Sequence, residues 1–228
     1  MRIIFVRHGH PDYRNDCLTE LGHVQAAAAA ERLKEEGITE IHSSSCGRAY
    51  ETAKHTADKL GLTVTQHDFM RELGWGSTEE GVELFKNGHP WFTVDDMLAR
   101  GADIMNPDWR RSEEFNKNEV VWHVDRVCKG IDGWMKMLGY EREGAYYRVT
   151  GENTNRTVAM FSHAGSSSAA LSRILNLPFT YMCYTMPPNF TGVTVLILSD
   201  EKGALTAPKI ELLNDAKHIE ACEQIISN

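Results

Sequence analysis

Three apolar segments of this sequence are each followed by side chains that can bind an anion or move a proton. These side chains belong to two arginines and two histidines: Arg7 and His8 after residues 2–6, Arg48 after residues 38–43, and His163 after residues 158–161. Guanidinium groups offer forked N–H donors that match the oxygens of a phosphate. An imidazole can attack phosphorus when a backbone carbonyl holds its other nitrogen. These residue types together indicate phosphoryl chemistry.

Phosphoryl transfer also needs a proton for the oxygen that leaves, and a nearby carboxyl group is a suitable source. Glu72 follows a third predicted strand, residues 62–65, in the run Arg-Glu-Leu-Gly-Trp-Gly. With one imidazole as the nucleophile, the other can stabilise the phosphoryl oxygens during the reaction. The residues make up a complete set for phosphoryl transfer, provided that the fold brings them to one place.

The segments before these side chains alternate with helical patterns. Thr19 can cap a helix that extends to Glu36, and a second helix is predicted over residues 48–60. The predicted apolar face of the first helix consists of Leu21, Val24, Ala28 and Leu33. The alternation returns with a strand over residues 158–161, a helix over 166–175, and strands over 193–198 and 209–213. Strand-helix-strand units of this length are typical of parallel sheets.

The fold class follows from this alternation. We predict an α/β protein, a three-layer sandwich whose mainly parallel central sheet is flanked by helices. Ligands of such sheets bind at the carboxyl ends of the strands, which is where the candidate side chains lie. Residues 76–155 differ in character, with several tryptophans, a helical pattern over residues 119–138 and a polar stretch over residues 141–155. We therefore predict one domain over residues 1–228, in which residues 76–155 form a helical insertion or cap.

Composition and charge narrow the classes of function. The chain has 228 residues, of which 42% are hydrophobic and 25% charged, and this excludes a disordered or collagen-like chain. It has 24 Lys and Arg against 32 Asp and Glu, and the resulting net charge of −8 argues against a nucleic-acid partner. A local basic pocket for an anionic substrate is still compatible with this charge.

The cysteines and the N-terminus bear on the compartment. The five cysteines are scattered and form no CxxC pair: Cys17, Cys46, Cys128, Cys183 and Cys222. Neither a disulfide framework nor a zinc site is expected, which fits a reducing cytoplasm. The apolar run at residues 3–6 is too short for a signal peptide or a membrane span. We expect a cytoplasmic protein without a membrane partner, and the sequence leaves a monomer and a homodimer open.

Four motifs around the candidate residues resemble the signature of the histidine phosphatase superfamily, the phosphoglycerate mutase-like proteins. In the family's order they are Arg7-His8-Gly9, Leu18-Thr19-Glu20-Leu21-Gly22 with Gln25-Ala26, Ser43-Ser44 with Arg48-Ala49 and Thr52-Ala53, and Ser162-His163-Ala164-Gly165. A single tripeptide would be a weak signal, but four motifs in order are specific. The resemblance covers the first and last thirds of the chain and leaves the middle uncovered.

The resemblance implies a phosphoryl-transfer enzyme that needs no metal or other cofactor. His8 then corresponds to the nucleophile that becomes a phosphohistidine. Glu72 corresponds to the general acid that protonates the leaving group and afterwards activates water. The residues that correspond to the phosphate clamp around His8 are Arg7, Arg48, His163 and, through its backbone N–H, Ala164.

The sequence departs from the family pattern near these residues. His10 stands where the family more often has Glu, Gln or a small polar residue. Ala164 replaces a common glycine, which requires a negative φ there. Other carboxylates that lie near Glu72 in the sequence are Glu79, Glu80 and Glu83. Arg110 and Arg111 resemble a substrate-clamping pair of the mutases, although their spacing from Glu72 is longer.

Hydrolysis of a small phosphorylated metabolite, a phosphomonoester, is the favoured activity because the segment between Gly9 and Leu18 is short. A mutase-type phosphoryl transfer and a non-catalytic phosphate-binding relative are alternatives. A further alternative is a metal-dependent hydrolase, because His8, His10 and Asp12 form an HxHxD pattern of the kind that places two imidazoles on one zinc ion.

Overall fold

A computed structural model of the chain describes residues 1–152 and 154–220, so Cys222 lies outside the described residues. The strands are β1 (Arg2–Arg7), β2 (Pro11–Asp12), β3 (Cys17–Leu18), β4 (Ile38–Ser44), β5 (Val64–His67), β6 (Tyr140–Glu143), β7 (Tyr146–Val149), β8 (Thr157–Ser162), β9 (Val193–Ile197), β10 (Leu205–Thr206) and β11 (Lys209–Asp215). The α-helices are α1 (Glu20–Leu33), α2 (Gly47–Leu60), α3 (Pro90–Ala99), α4 (Val120–Met137), α5 (Ala164–Leu175) and α6 (Phe179–Thr185). Among these, no helix is long and apolar enough to cross a membrane.

The central sheet confirms the predicted α/β class. Its strands lie in the order β11-β9-β1-β8-β4-β5, with β1, β8, β4 and β5 parallel to one another. β9 is antiparallel to both of its neighbours. The sheet is therefore mixed but mainly parallel. The insertion of β8 between β1 and β4 puts the carboxyl ends of three strands that are distant in sequence side by side.

Two hydrophobic layers cover the two faces of the sheet, as the three-layer prediction requires. Along β1, Ile3 and Phe5 pack into the layer that contains α4 and α5, whereas Ile4 and Val6 pack into the layer that contains α1 and α2. This alternation is the two-residue period of a strand that is buried on both faces. The sheet thus holds the ends of its central strands rigidly between the helices.

The first helix begins as predicted but ends earlier and buries another face. The Thr19 hydroxyl accepts a hydrogen bond from the helix, whose last residue is Leu33 rather than Glu36. Its buried residues are Gly22, Gln25, Ala26, Ala29, Ala30 and Leu33. Small side chains on this face let α1 approach α2 closely, which leaves the larger Leu21 and Val24 at the margin. The close packing of α1 against α2 selects small side chains for the buried face, so the hydrophobicity pattern alone did not identify that face.

A second sheet lies in the segment that the sequence indicated only as polar. β6, β7 and β10 form a three-stranded antiparallel sheet, with Gly144 at φ 62° in the turn between the first two. Tyr147 and Val149 alternate with less buried residues along β7. Three charged residues in β6, which reads Tyr-Glu-Arg-Glu, hid this strand in the sequence.

Residues 76–155 contain α3, α4 and the β6–β7 hairpin. The buried face of α4, with Val127 and Ile131, belongs to the same hydrophobic cluster as Ile3 and Phe5 of β1. The assignment of residues 76–155 as an insertion within one domain over residues 1–228 stays a prediction.

Two glycines let the loop after β1 lie against α1. A Cβ atom on Gly9 would come within 2.6 Å of the Gly22 carbonyl oxygen, and one on Gly22 within 2.2 Å of the His10 carbonyl oxygen. Such contacts with backbone cannot relax by rotation of a side chain. The close approach explains why both motifs contain glycine at these positions.

Replacement of Gly22 by alanine tests this approach. Gly22→Ala is expected to lower the free energy of unfolding by about 1–3 kcal/mol because the loop and α1 must separate. Gly133 of α4 is the matched control, since a Cβ there meets no atom within 4 Å. Gly133→Ala is expected to stabilise the protein by about 0.5–1 kcal/mol. Urea unfolding of both variants provides the measurement, and an unchanged midpoint for Gly22→Ala would contradict the argument.

Candidate active site

The carboxyl ends of β1, β8 and β4 bring both histidines and Arg48 together. The His8 N–H donates to the carbonyl of Ser162 over 2.9 Å, which ties the end of β1 to the end of β8. The imidazoles of His8 and His163 lie with their centroids 5.1 Å apart. Arg48 Nε lies 3.3 Å from His8 Nε2. Residues from three distant parts of the chain thus meet at one edge of the sheet.

Polar contacts fix the loop that carries His8. The Gly9 N–H donates to Thr52 Oγ1 over 3.1 Å, and the His10 N–H donates to Gln25 Oε1 over 2.7 Å. The Thr52 hydroxyl in turn donates to the carbonyl of Arg48. Side chains of α1 and α2 therefore satisfy buried backbone donors that would otherwise be costly to leave unpaired.

The tautomer of His8 follows from its hydrogen bond. His8 Nδ1 lies 2.7 Å from the Gly9 carbonyl oxygen, which can only accept, so Nδ1 carries the proton. His8 Nε2 then keeps its lone pair and accepts from Arg48. Burial lowers the pKa of His8 to about 3, and the charges of Arg7 and Arg48 add to the effect, although the bond to Gly9 opposes it. His8 is neutral near neutral pH, and Nε2 is its unprotonated nitrogen.

His163 is completely buried and faces His8 from the end of β8. Its Nε2 lies 2.8 Å from Ser44 Oγ, and the same oxygen accepts from the Cys46 N–H. His163 Nε2 is thereby paired with Ser44, and Nδ1 is the ring nitrogen that has no hydrogen-bond partner within the described residues. Burial, together with the neighbouring His8 imidazole and the Arg48 guanidinium, lowers the pKa of His163 well below its usual range.

Neighbouring groups orient the side chains of Arg7 and Arg48. Arg7 Nη1 donates to the carbonyl of Pro188 over 2.8 Å, and its guanidinium lies 4.1 Å from the ring centroid of Phe190. Arg48, the second residue of α2, is buried, and its Nη1 lies 2.5 Å from Asp16 Oδ1. Both guanidinium groups are therefore oriented before any ligand binds.

Glu72 accepts hydrogen bonds from three backbone N–H groups. Oε1 accepts from Leu73 over 2.9 Å and from Ser166 over 3.0 Å, whereas Oε2 has one longer contact of 3.3 Å with Gly165. Burial raises the pKa of Glu72, although these backbone bonds and Arg48 oppose the rise. A Cβ on Gly165 would lie 2.7 Å from Oε1, so only glycine lets the carboxyl group come this close.

Helix α5 begins at Ala164, two residues earlier than the sequence indicated. Ala164 is helical and is not among the residues with a positive φ, so it meets the condition for replacing glycine. As the first residue of α5, its N–H has no acceptor within the helix. The N-terminus of a helix favours an anion through such free donors and through the helix dipole.

Two buried nitrogens at this edge have no hydrogen-bond partner within the described residues: Arg7 Nε and His163 Nδ1. A buried donor without a partner costs about 1–3 kcal/mol. Both belong to cationic or polar groups around His8, where the oxygens of an anion can accept from them. The arrangement is that of a site for a small oxyanion next to a neutral imidazole.

Other candidate residues are not brought to this site. Arg110 pairs with Asp125 on the outer side of α4, and Arg111 is exposed. The alternative carboxylates are all exposed: Glu79, Glu80 and Glu83. Glu72, in contrast, contacts the first turn of α5, directly after His163.

The residues of the HxHxD pattern have separate partners. His10 Nδ1 lies 2.9 Å from Thr19 Oγ1, and Asp12 accepts from the N–H groups of Arg14 and Asn15. In residues 1–152 and 154–220 no group of three or more His, Cys, Asp or Glu side chains is arranged to hold a metal ion. His10 also contacts the ring of Phe190 and so forms part of the wall of the site.

Several residues of the site were not identified from the sequence. Asp16 and Tyr13 both face the arginines, and the Tyr13 ring lies 5.4 Å from the Arg48 guanidinium. Phe190 comes from a loop after α6 that carries no motif. Arg126 donates to the carbonyls of Arg71 and Glu72 and so holds the backbone that carries Glu72 in place. The position of Asp16 and Tyr13 in the segment 10–17, between two of the family motifs, is the signal in the sequence that could have shown them.

Comparison with known proteins agrees with this geometry. A model of the histidine phosphatase superfamily (branch 1) matches residues 3–211. The chain belongs to this superfamily. A relative from Yersinia pestis (strain Pestoides F), named probable phosphoglycerate mutase GpmB, is 38% identical over 88 residues, which are 35% of this chain and 41% of the relative. The match thus spans less than half of that relative.

Several solved structures share the fold over nearly the whole chain. A mycobacterial glucosyl-3-phosphoglycerate phosphatase is 24% identical with a TM-score of 0.62, covering 93% of this chain and 98% of its own. A phosphoserine phosphatase mutant from Entamoeba histolytica, bound to phosphoserine, is 20% identical with a TM-score of 0.62, covering 96% and 98%. At these identities the similarity concerns the fold alone.

The buried neutral state of His8 predicts how stability depends on pH. The unfolded chain takes up a proton on His8 below its ordinary pKa of 6.5, whereas the folded chain takes it up only near its pKa of about 3. Stability therefore falls as the pH is lowered between these values, by about 2–3 kcal/mol from this residue at a pH of about 4.5. His8→Asn is expected to lose less stability on acidification than the wild type in urea unfolding. An identical pH dependence of both proteins would contradict the assignment.

Proposed function

We propose that this protein is a phosphomonoester hydrolase that works through a phosphohistidine on His8 and needs no metal. The substrate is a small phosphorylated metabolite. The observation that carries the proposal is the unprotonated Nε2 of His8, which accepts from Arg48, together with nearby nitrogen atoms that can bind a phosphoryl group. The superfamily membership and the phosphatases among the similar structures support it.

In the first step of this mechanism the phosphoryl oxygens bind Arg7, Arg48 and His163 Nδ1. His8 Nε2 attacks phosphorus, the P–N bond forms, and the bond from phosphorus to the alcohol oxygen breaks. Glu72 supplies the proton to that oxygen, and the alcohol leaves. His8 Nδ1 keeps its proton throughout and donates it in a hydrogen bond to the Gly9 carbonyl. The carbonyl dipole therefore stabilises the positive charge that develops on the imidazole.

In the second step Glu72 is ionised and accepts a proton from a water molecule. The water oxygen attacks phosphorus, the P–N bond breaks, and inorganic phosphate and a neutral His8 are formed. Oε2 suits this exchange because it has one long backbone contact, whereas Oε1 has two shorter ones. Most of the rate enhancement comes from donors positioned for the metaphosphate-like transition state.

Mutase activity is the second candidate, and the name of the Yersinia relative is what favours it. A mutase must keep the intermediate substrate bound while that molecule reorients in the site. This requires additional cationic contacts and the exclusion of water. Arg110, the residue expected to supply such a contact, pairs with Asp125 away from the histidines. This difference is the reason for preferring hydrolysis.

The covalent intermediate is the first test. Rapid-quench labelling with a phosphate donor is expected to give an acid-labile, base-stable adduct in the wild type and none in His8→Asn, which also lacks turnover of an aryl phosphate. Turnover that survives in His8→Asn would contradict the mechanism. Loss of wild-type activity with a chelator would favour the metal-dependent alternative, and binding without any turnover would favour a non-catalytic relative.

The second test concerns the acid. With an alkyl phosphate, Glu72→Gln is expected to lower kcat/KM by about 10²–10⁴. The loss is smaller with an aryl phosphate, whose leaving oxygen needs no proton. Because the pKa of Glu72 is raised, wild-type kcat/KM falls as the pH rises through it, and this fall is absent from the variant. Glu80→Gln, an exposed carboxyl group of the next loop, serves as the control. Equal losses with both substrates would remove Glu72 from the role of acid.

A further inference from the structure

Asp16 occupies part of the phosphate clamp. Its Oδ1 lies 2.5 Å from Arg48 Nη1, and its Oδ2 accepts the Gly47 N–H over 2.8 Å. Both carboxylate oxygens are therefore bound to the start of α2, where the helix dipole also favours a negative charge. Arg48 has a second contact through Nε with His8, so the carboxylate and the nucleophile share one guanidinium group.

The backbone conformation of the loop places Asp16 next to Arg48. Asp16 has a φ of 51°, a left-handed conformation that few residues other than glycine adopt. A Cβ on Gly47 would lie 2.1 Å from the Asp16 carbonyl oxygen, so the loop rests directly on the first residue of α2. The left-handed backbone and the close contact with Gly47 place the partly exposed carboxylate beside Arg48.

We propose that the Asp16 carboxylate competes with phosphate for Arg48 and so lowers the affinity of the site for its phosphate product. This inference rests on the proposed function. When the site is empty, Asp16 pairs the buried guanidinium, which would otherwise be a costly isolated charge. When phosphate binds, the carboxylate repels it and gives up or shares the same donors. Weaker binding of phosphate speeds its release after each turnover.

The repulsion acts on the substrate and on inorganic phosphate alike, because both present a phosphate dianion to Arg48. An interaction that changes ground-state and transition-state binding equally alters KM and leaves kcat without a gain. The effect of Asp16 should therefore appear in KM and in inhibition by phosphate. A purely structural residue would not show this pattern.

Asp16→Asn is the principal variant, because Asn tolerates the left-handed backbone and keeps an acceptor for the Gly47 N–H. The inhibition constant of inorganic phosphate is expected to fall about tenfold, equivalent to about 1.4 kcal/mol. KM is expected to fall by a similar factor while kcat does not rise. Asp16→Gly, which also suits a positive φ, is expected to change the same constants in the same direction. Inhibition by orthovanadate provides an independent probe.

Asp12→Asn is the matched control, since it removes the same charge from a half-buried position of the same loop, and the Asn Oδ1 can still accept from the N–H groups of Arg14 and Asn15. The control is expected to change the inhibition constant less than twofold. An unchanged or raised phosphate inhibition constant in Asp16→Asn and Asp16→Gly, with thermal unfolding showing folded proteins, would overturn the inference alone. Failure of the wild type to bind phosphate or vanadate would overturn the proposed function and this inference with it.

Discussion

The hydrogen bond from His8 Nδ1 to the Gly9 carbonyl is the contact on which the chemistry of the site depends. It decides which nitrogen of the imidazole has a lone pair, and it needs the backbone after β1 to turn sharply at the end of the strand. That turn exists because Gly9 and Gly22 allow two stretches of backbone to touch. Thr52 and Gln25 then pair the N–H groups of the turn. Residues that never meet a ligand thus determine the reactivity of one that does.

The start of α5 is a second constraint, and it acts on two residues at once. His163 is the last residue before the helix, and Glu72 accepts from two N–H groups of its first turn. Burial and backbone donors act in opposite directions on the pKa of Glu72, and burial prevails. A raised pKa suits the proposed role of Glu72 as an acid, because it favours the protonated carboxyl group that this role requires.

The sequence was sufficient for those parts of the molecule that depend on local patterns. The buried strands and the Thr19 cap are periodicity and capping signals, and His8, Arg48 and His163 follow from the rule that parallel strands end at one edge. The buried face of α1 was predicted wrongly because close packing of alanines, which no hydrophobicity pattern encodes, selected it. Phe190 and Arg126 could not be found because only the tertiary fold brings their segments to Arg7 and to Glu72. The roles of the site residues remain predictions.

The charges of the site form a balance that geometry alone does not reveal. Two guanidinium groups face the pocket, but both imidazoles are neutral, and the Asp16 carboxylate offsets one of the cations. A site with four full positive charges would bind a phosphate dianion tightly in every state and would gain little selectivity for the transition state. In the proposed mechanism neutral imidazoles avoid this, since His8 attacks only without a proton on Nε2, and a neutral His163 donates from Nδ1 without carrying a charge. Because the surplus of positive charge is small, selectivity for the transferring phosphoryl group over bound phosphate would depend on the orientation of the hydrogen-bond donors and not on their number.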